Sequence, residues 1–276
     1  MYENAFNSIE KTLRAEEGIA NELDYVEQTS WVLFLKYLHD LEGERRDRAE
    51  LEGKQYSPII SGLYSWDRWA APESNGGIDY NTALNGDDLV RFVDQELFPH
   101  LASFRDRATD PDTIEYKIGE VFTELRSKFR SGYILRDVLE VVNGMEFKTQ
   151  ADKHELSSLY ETRIRRMGNA GRNGGEYYTP RPLIRAMIKV IAPKIGETIY
   201  DGAVGSAGFL CEAYDYMRSG DLSASDYETL QRHTFYGQEK KSLAYVIGIM
   251  NMVLHGIEAP NIFHGNTLNE NVMDIQ

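Results

Sequence analysis

A glycine-rich turn between a strand and a helix limits the folds open to this chain more than any other segment. Residues 201–210 read Asp-Gly-Ala-Val-Gly-Ser-Ala-Gly-Phe-Leu and follow the β-rich segment 198–201. Glycines let a backbone approach a ligand closely, and the first N–H groups of a helix have no partner within that helix. The pattern therefore predicts a strand, a tight turn and a helix, with a small-molecule site at the turn.

The spacing of the glycines narrows the choice of ligand. A dinucleotide-binding turn has Gly-x-Gly-x-x-Gly, whereas Gly202, Gly205 and Gly208 give Gly-x-x-Gly-x-x-Gly. The Gly-Lys-Ser/Thr ending of a phosphate-binding loop is also missing from this segment. The turn therefore disfavours a pyrophosphate ligand and an NAD-type oxidoreductase. A tight turn that binds nothing remains the alternative.

An acidic residue stands at the end of the next predicted strand, residues 234–239. A helix is predicted over 241–255 and a third strand over 261–264, and this alternation indicates a parallel α/β sheet. Glu239 at the strand end is suited to ribose, because one carboxylate accepts hydrogen bonds from two hydroxyls. A solvated glutamate beside two lysines is the alternative interpretation.

A tyrosine motif precedes the glycine turn, since residues 174–182 read Gly-Gly-Glu-Tyr-Tyr-Thr-Pro-Arg-Pro. Thr179 is a good N-cap and Pro180 a good first helical residue, so a helix should begin here. The apolar positions of that helix would be Leu183, Met187 and Ile191. The tyrosine rings would suit a sulfonium-bearing amino acid, although a plain capped helix gives the same pattern.

The first 145 or so residues favour helices packed on a core. One predicted helix runs from about Asp24 towards Arg48, and its apolar stripe is Trp31, Phe34, Leu35 and Leu38. A second stripe is Ile114, Ile118, Val121, Phe122, Leu125 and Phe129. A third is Leu89, Phe92, Val93 and Leu97, in a helix that Pro99 should end.

Composition excludes several classes of protein. A net charge of −14 argues against a generic nucleic-acid coat or a binder of anionic membranes, because both depend on cationic patches. The single cysteine, Cys211, excludes a disulfide scaffold, and the six histidines show no metal-ligand spacing. Residues 1–10 show no secretory leader, and the longest nearly apolar run is about ten residues, against about 20 for a membrane helix. We therefore expect a soluble, cytoplasmic protein without a metal site.

Together, the motifs resemble the modification subunit, a DNA methyltransferase, of type I restriction–modification systems. GEYYTPRP resembles the loop before the first methyltransferase helix, DGAVGSAGFL the cofactor loop and YGQE the acidic motif of the second strand. The resemblance implies an α-helical N-terminal domain over residues 1–147. It implies a partial α/β, Rossmann-like methyltransferase domain over residues 148–276, which uses S-adenosyl-L-methionine to methylate adenine N6 in DNA.

The resemblance also implies a set of cofactor-binding residues. One wall of the site would consist of Glu176, Tyr177, Tyr178, Thr179, Pro180 and Arg181. The methionine part would be approached, with support from Asp201, by Ser206, Ala207 and Gly208. Glu239 would hold the ribose and Asn266 would lie near the adenine. The family often has glutamine in place of Glu176 and an acidic residue in place of Asn266.

The resemblance assigns no catalytic residue to this chain. In the family, an Asn-Pro-Pro-Phe-type segment orients the flipped adenine, and residues 1–276 contain no Asn-Pro-Pro. We therefore expect an apparently truncated methyltransferase without turnover by this chain alone. A non-catalytic assembly or decoy subunit is one alternative, and a nucleotide-cofactor oxidoreductase is another. Cys211 follows Leu210 in a helical stretch, so it predicts a small buried residue and not a cytosine-C5 nucleophile.

The partners implied are a specificity subunit, a second modification subunit, a restriction subunit and double-stranded DNA bound through the complex, with no membrane. A locally basic stretch, residues 161–189, is consistent with phosphate contact, and a solvated helix face is the alternative. Its cations are Arg163, Arg165, Arg166, Arg172, Arg181, Arg185 and Lys189, against Glu161 and Glu176.

Overall fold

The computed structural model describes residues 2–74, 77–110, 113–147, 150–169 and 178–269. The chain forms two compact units, one of residues 1–101 and 126–159 and the other of residues 102–125 and 160–276. Each unit consists of two separate stretches of the chain, whereas the sequence predicts two contiguous domains. The predicted domain boundary after residue 147 stays a prediction.

The N-terminal half of the chain is helical, as expected. Its helices are α1 (Tyr2–Leu13), α2 (Glu22–Leu51), α3 (Trp66–Trp69), α4 (Gly86–Phe92), α5 (Phe98–Ala102), α6 (Phe104–Arg107), α7 (Ile114–Glu124) and α8 (Gly132–Asn143). A short antiparallel hairpin, β1 (Glu73–Ser74) and β2 (Gly77–Ile78), lies between α3 and α4. Of these helices, α6 and α7 belong to the second unit.

Helix α2 confirms the strongest helical prediction. It begins at Glu22 because the Asn21 side chain accepts hydrogen bonds from the N–H groups of Leu23 and Asp24. The predicted stripe is buried, and Trp31 at its centre packs edge-on against Phe98, with ring centroids 5.2 Å apart. This apolar stripe forms the core of the first unit.

The prediction that Pro99 ends its helix is wrong, because α5 contains Pro99 and continues to Ala102. The preceding turn, Val93–Leu97, is π-helical, and the Phe98 N–H bonds to the Val93 carbonyl five residues earlier. Proline breaks an α-helix by lacking an N–H and by clashing with the carbonyl four residues back. The wider turn relieves that clash, so the helical path continues.

The second unit carries a three-stranded parallel sheet in the order β3-β4-β5. Its strands are β3 (Ile199–Asp201), β4 (Phe235–Glu239) and β5 (Asn261–His264), as the sequence predicts. The helices after residue 147 are α9 (Gln150–Asn169), α10 (Arg181–Ile191), α11 (Gly208–Met217), α12 (Ala224–Arg232) and α13 (Ser242–His255). The expected arrangement, a helical N-terminal part followed by an α/β part with a parallel sheet, is confirmed. No helix in the described ranges has both the length and the apolar character needed to span a bilayer.

The buried face of α10 differs from the predicted one. Leu183, Met187 and Ile191 are 55%, 43% and 72% exposed, whereas Ile184 and Ile188 are buried. The helix carries apolar residues on two adjoining stripes, and spacing alone does not distinguish which stripe faces the core. The packed stripe here is the one shared with Arg181, which is also buried.

Candidate functional site

The polar strand ends and the glycine turn lie at one edge of the sheet. Strands β3 and β4 are parallel, with Asp201 paired to Gly237, so both strands end on the same side. The glycine turn leaves β3 directly after Asp201, and helix α11 begins at Gly208. Ligands of α/β sheets bind in the crevice beyond the carboxyl ends of the strands. The described geometry therefore puts the predicted site where such a fold binds small molecules.

Glu239 joins the end of β4 to the glycine turn. Its Oε2 accepts a hydrogen bond from the Gly205 N–H at 2.8 Å, and its Oε1 accepts one from the Lys241 N–H at 2.8 Å. The Val204 N–H also bonds to the carbonyl of Gln238, at 3.1 Å. The carboxylate is half-buried. The glycine turn and Glu239 thus converge as expected, and the role of Glu239 as a ribose ligand stays a prediction.

Asp201 lies at the opening of the turn, where its Oδ1 accepts a hydrogen bond from the Ala203 N–H at 3.0 Å. Burial raises the pKa of Asp201, the Ala203 N–H lowers it, and the nearby Glu239 carboxylate raises it further. Residues 201–203 retain exposed surface, whereas residues 204–208 are buried. The accessible part of the turn is therefore its first part, next to the two carboxylates.

The second part of the turn has an unusual backbone. Gly205 and Ala207 have φ of 54° and 60°, so both lie in the left-handed region. That conformation costs an alanine about 1–2 kcal/mol, so the surroundings must hold Ala207 in place. Ser206 and Ala207 are 2% and 0% exposed. Their predicted contact with the methionine part of a cofactor stays a prediction.

Gly208 makes room for the side chain of Arg181. A Cβ atom at position 208 would lie 1.4 Å from Arg181 Nη1, so a larger residue would displace the guanidinium. The guanidinium donates to Glu161, from Nε to Oε2 at 2.6 Å and from Nη2 to Oε1 at 2.5 Å. Arg181 is thus buried in an ion pair behind the glycine turn.

Part of the tyrosine motif lies outside the described residues, namely Glu176 and Tyr177. The Tyr178 ring lies 5.2 Å from the guanidinium carbon of Arg181. Thr179 is not the N-cap of α10, contrary to the prediction, because the helix begins one residue later with Pro180 in the cap position. Pro180 makes no side-chain capping bond, and it is exposed.

Asn266 follows β5 and lies in a turn attached to the glycine turn. Its Oδ1 accepts a hydrogen bond from the Leu268 N–H at 3.3 Å. The next residue, Thr267, donates from Oγ1 to the Gly202 carbonyl at 2.5 Å. Asn266 thus lies next to a residue bonded to the glycine turn, and its predicted contact with adenine stays a prediction.

The basic stretch is partly neutralised within the chain. Arg181 pairs with Glu161, and Arg185 donates from Nε to Glu212 at 2.7 Å, while Arg172 lies outside the described residues. Among described residues, no group of three or more His, Cys, Asp or Glu side chains is placed to hold a metal ion. Cys211 is buried as predicted, and burial raises the pKa of its thiol.

Two residues next to the glycine turn were missed by the sequence analysis as parts of the site. Asn251 donates from Nδ2 to the Ser206 carbonyl at 2.8 Å. From the sequence, Glu161 is only a negative charge in the basic stretch, whereas in the structure it accepts hydrogen bonds from Arg181 and Asn251. The signal for Asn251 is visible in the sequence, since it is the amide within the apolar run 245–254. A buried amide in such a run requires polar partners, but the sequence does not say which.

The comparisons with known proteins agree with this geometry. Residues 3–162 match the family model described as the HsdM N-terminal domain, and residues 151–276 match the model described as N-6 DNA Methylase. The chain belongs to the family of type I restriction enzyme methylase subunits. Together the two family models cover residues 3–276.

Curated relatives carry the same description. The chain is 35% identical over 269 residues to the type I restriction enzyme EcoEI methylase subunit of Escherichia coli, covering 97% of this chain and 52% of the relative. It is 36% identical over 138 residues to the EcoKI methylase subunit of E. coli K12, covering 48% of this chain and 25% of the relative. The chain thus spans about half the length of the EcoEI subunit.

Two solved structures share its fold. A modification subunit assigned to a type I restriction enzyme of Vibrio vulnificus YJ016 has a TM-score of 0.82 and 34% identity, over 99% of this chain and 57% of that one. A chain from a study of complex assembly and conformational transition in the type I R-M system has a TM-score of 0.80 and 35% identity, over 99% of this chain and 52% of that one. The chain therefore shares the fold of both structures along nearly its whole length.

Proposed function

We propose that this type I methylase chain forms the S-adenosyl-L-methionine site of a DNA adenine-N6 methyltransferase. Family membership supports the reaction class, and the hydrogen bond from the Gly205 N–H to Glu239 Oε2 supports the location of the site. That bond brings the glycine turn and the strand-end carboxylate together at one sheet edge. The bound cofactor would supply the electrophilic methyl group.

The described residues fit a nucleoside-type cofactor. Each oxygen of Glu239 holds one backbone N–H, and a carboxylate oxygen has capacity for a second bond, so ribose hydroxyls have acceptors here. Asp201 lies next to it, at the exposed start of the turn. Asn266 would lie at the adenine side and Tyr178 at the methionine side. Glu176 and Tyr177 remain proposed members of the tyrosine wall.

Adenine methylation requires a further step that the proposed cofactor site does not perform. The target base must be flipped, stacked and held so that its amino nitrogen faces the methyl group. Residues 1–276 offer no Asn-Pro-Pro segment for this step. We therefore expect cofactor binding by this chain, without methyl transfer to DNA in the absence of further polypeptide.

The proposed partners follow from the family. We propose a complex with a specificity subunit, a second modification subunit and a restriction subunit, acting on double-stranded DNA in the cytoplasm. An acidic chain, at −14, is consistent with base reading by another subunit. Phosphate contact by the basic stretch stays a proposal. Charge reversal at Arg165 and Arg166 would test it, because lost phosphate contacts flatten the salt dependence of DNA binding by the assembled complex.

Calorimetric titration of the purified chain tests the proposed cofactor. We expect S-adenosylmethionine and S-adenosylhomocysteine to bind, and NAD not to bind. Glu239→Gln should weaken binding at least tenfold, because an amide replaces a doubly used carboxylate. Glu228→Gln makes the same chemical change on the exposed face of α12 and should leave binding unchanged. Binding of NAD alone, or equal binding by the two variants, would contradict the assignment.

A further inference from the structure

Helix α13 contains one fully buried carboxamide. Asn251 has 0% exposure, and its helical neighbours Met250 and Met252 are also fully buried. Both hydrogens of its Nδ2 are used, one to Glu161 Oε1 at 2.5 Å and one to the Ser206 carbonyl at 2.8 Å. These two bonds satisfy the donor end of the amide and fix its orientation, while its Oδ1 is buried with no hydrogen-bond partner among the described residues.

The neighbouring turn of α13 is shaped for the same loop. Gly248 lies one helical turn before Asn251, on the same face. A Cβ atom at position 248 would lie 2.9 Å from the Gly205 carbonyl oxygen and 3.7 Å from the Ala207 Cβ. Gly248 thus leaves space for the glycine turn, and Asn251, one helical turn later, forms a hydrogen bond with it.

Glu161 fixes which way the Asn251 side chain points. Its carboxylate accepts from the Nδ2 of Asn251 and from the guanidinium of Arg181. A carboxylate only accepts hydrogen bonds, so turning the amide over would set two oxygens against each other. The ion pair therefore keeps the donor end of Asn251 directed at the glycine turn.

We propose that Asn251 is a positioning residue for the cofactor site, holding the Ser206 carbonyl so that the glycine turn keeps its left-handed residues. The turn is then fixed from two sides, by Glu239 at the Gly205 N–H and by Asn251 at the Ser206 carbonyl. This inference rests on the proposed function, because the turn matters for binding only if it contacts the cofactor.

Amide hydrogen exchange and calorimetry together test the proposal on the whole chain. In Asn251→Ala, the amides of residues 203–208 should exchange at least tenfold faster, and S-adenosylhomocysteine should bind at least tenfold more weakly. The control is Gln231→Ala, which removes an amide donor on α12 that bonds to the Gly256 carbonyl at 2.7 Å, just after the C-terminal end of α13 and away from the glycine turn. The control should lower stability while leaving both readouts within twofold of the original chain.

The outcomes separate the two proposals. If both variants change exchange and affinity in proportion to lost stability, Asn251 is only structural and the proposal is overturned. If Asn251→Ala does not fold, Asn251→Ser replaces it, since a hydroxyl does not reach both Glu161 and Ser206; native exchange in that variant overturns the proposal as well. If the unmodified chain binds no cofactor, the proposed function fails, and the exchange measurement alone decides whether Asn251 holds the turn.

Discussion

Replacing Tyr245 with phenylalanine removes one oxygen from the second unit and should cost about 2 kcal/mol of folding stability. The Tyr245 hydroxyl donates to Glu120 Oε2 at 2.5 Å, and Tyr245 is fully buried. A hydrogen bond to a charged group contributes roughly 1.5–3 kcal/mol. Lys117 Nζ lies 3.4 Å from the same Oε2, which is too far to replace the lost bond.

The pH dependence provides a second measure of the same bond. Burial raises the pKa of Tyr245 well above its ordinary value of 10.0, and the charge of Glu120 adds to the rise. A raised pKa means that the folded state favours the protonated phenol. Its contribution is therefore complete below pH 10 and is lost as the pH rises above it. Above pH 10 the difference between Tyr245→Phe and the original chain should narrow by about 1.4 kcal/mol per pH unit.

Urea denaturation at each pH and thermal denaturation at pH 7, both followed by circular dichroism, measure these effects. At pH 7 we expect a thermal midpoint lower by about 4–8 °C, since 1 kcal/mol shifts a protein of this size by about 2–4 °C. Tyr216→Phe, at an exposed position on α11, makes the same atomic change and should shift stability by less than about 0.5 kcal/mol. If Tyr245→Phe is as stable as this control at pH 7, the hydrogen bond from Tyr245 to Glu120 does not contribute the expected stability.

Other substitutions test the described packing and charge. Asp201→Asn should raise the urea midpoint at pH 7, because burial raises the pKa of Asp201 and so disfavours the charged form in the folded state. The gain should fade as the pH falls through that raised pKa and be gone below the ordinary pKa of 3.8, and a constant gain would contradict the pKa shift. Gly132→Ala should lower stability by about 3 kcal/mol or prevent folding, because its Cβ would lie 1.9 Å from the Gly86 carbonyl oxygen. Gly43→Ala, in α2 with open space around it, should instead raise stability by about 0.5–1 kcal/mol, and equal losses at both glycines would refute the packing argument.

The site could be predicted from sequence where one local pattern determines the position. Strand β4 ends at Glu239 and strand β3 at Asp201, and parallel strands bring both ends to one edge. The glycine turn after Asp201 follows from residues that permit left-handed backbone, although Ala207 also adopts it. The three strands were therefore predictable, and so was the meeting of the turn with Glu239.

Features that depend on distant parts of the chain were not predictable in the same way. The partners Glu161, Arg181 and Asn251 come from three different helices, and no local pattern links them. The exposed and buried stripes of α10 are both apolar, so only packing decides between them. Proline normally ends a helix because it clashes with the carbonyl four residues earlier. At Pro99 the preceding π-helical turn relieves that clash, and the sequence gives no sign of such a turn.

The hydrogen bond between Gly205 and Glu239 bears on how binding should be interpreted. The Glu239 carboxylate is hydrogen-bonded to the turn through the Gly205 N–H, so a change at Glu239 acts on the turn as well as on any ligand of that carboxylate. Loss of binding in Glu239→Gln would therefore combine two effects, the loss of the proposed ribose acceptor and a loosened turn. Asn251→Ala loosens the turn from the opposite side and leaves Glu239 intact. If the two variants show equal exchange at Gly205 but unequal affinity, the remaining difference measures the direct contact between Glu239 and the cofactor.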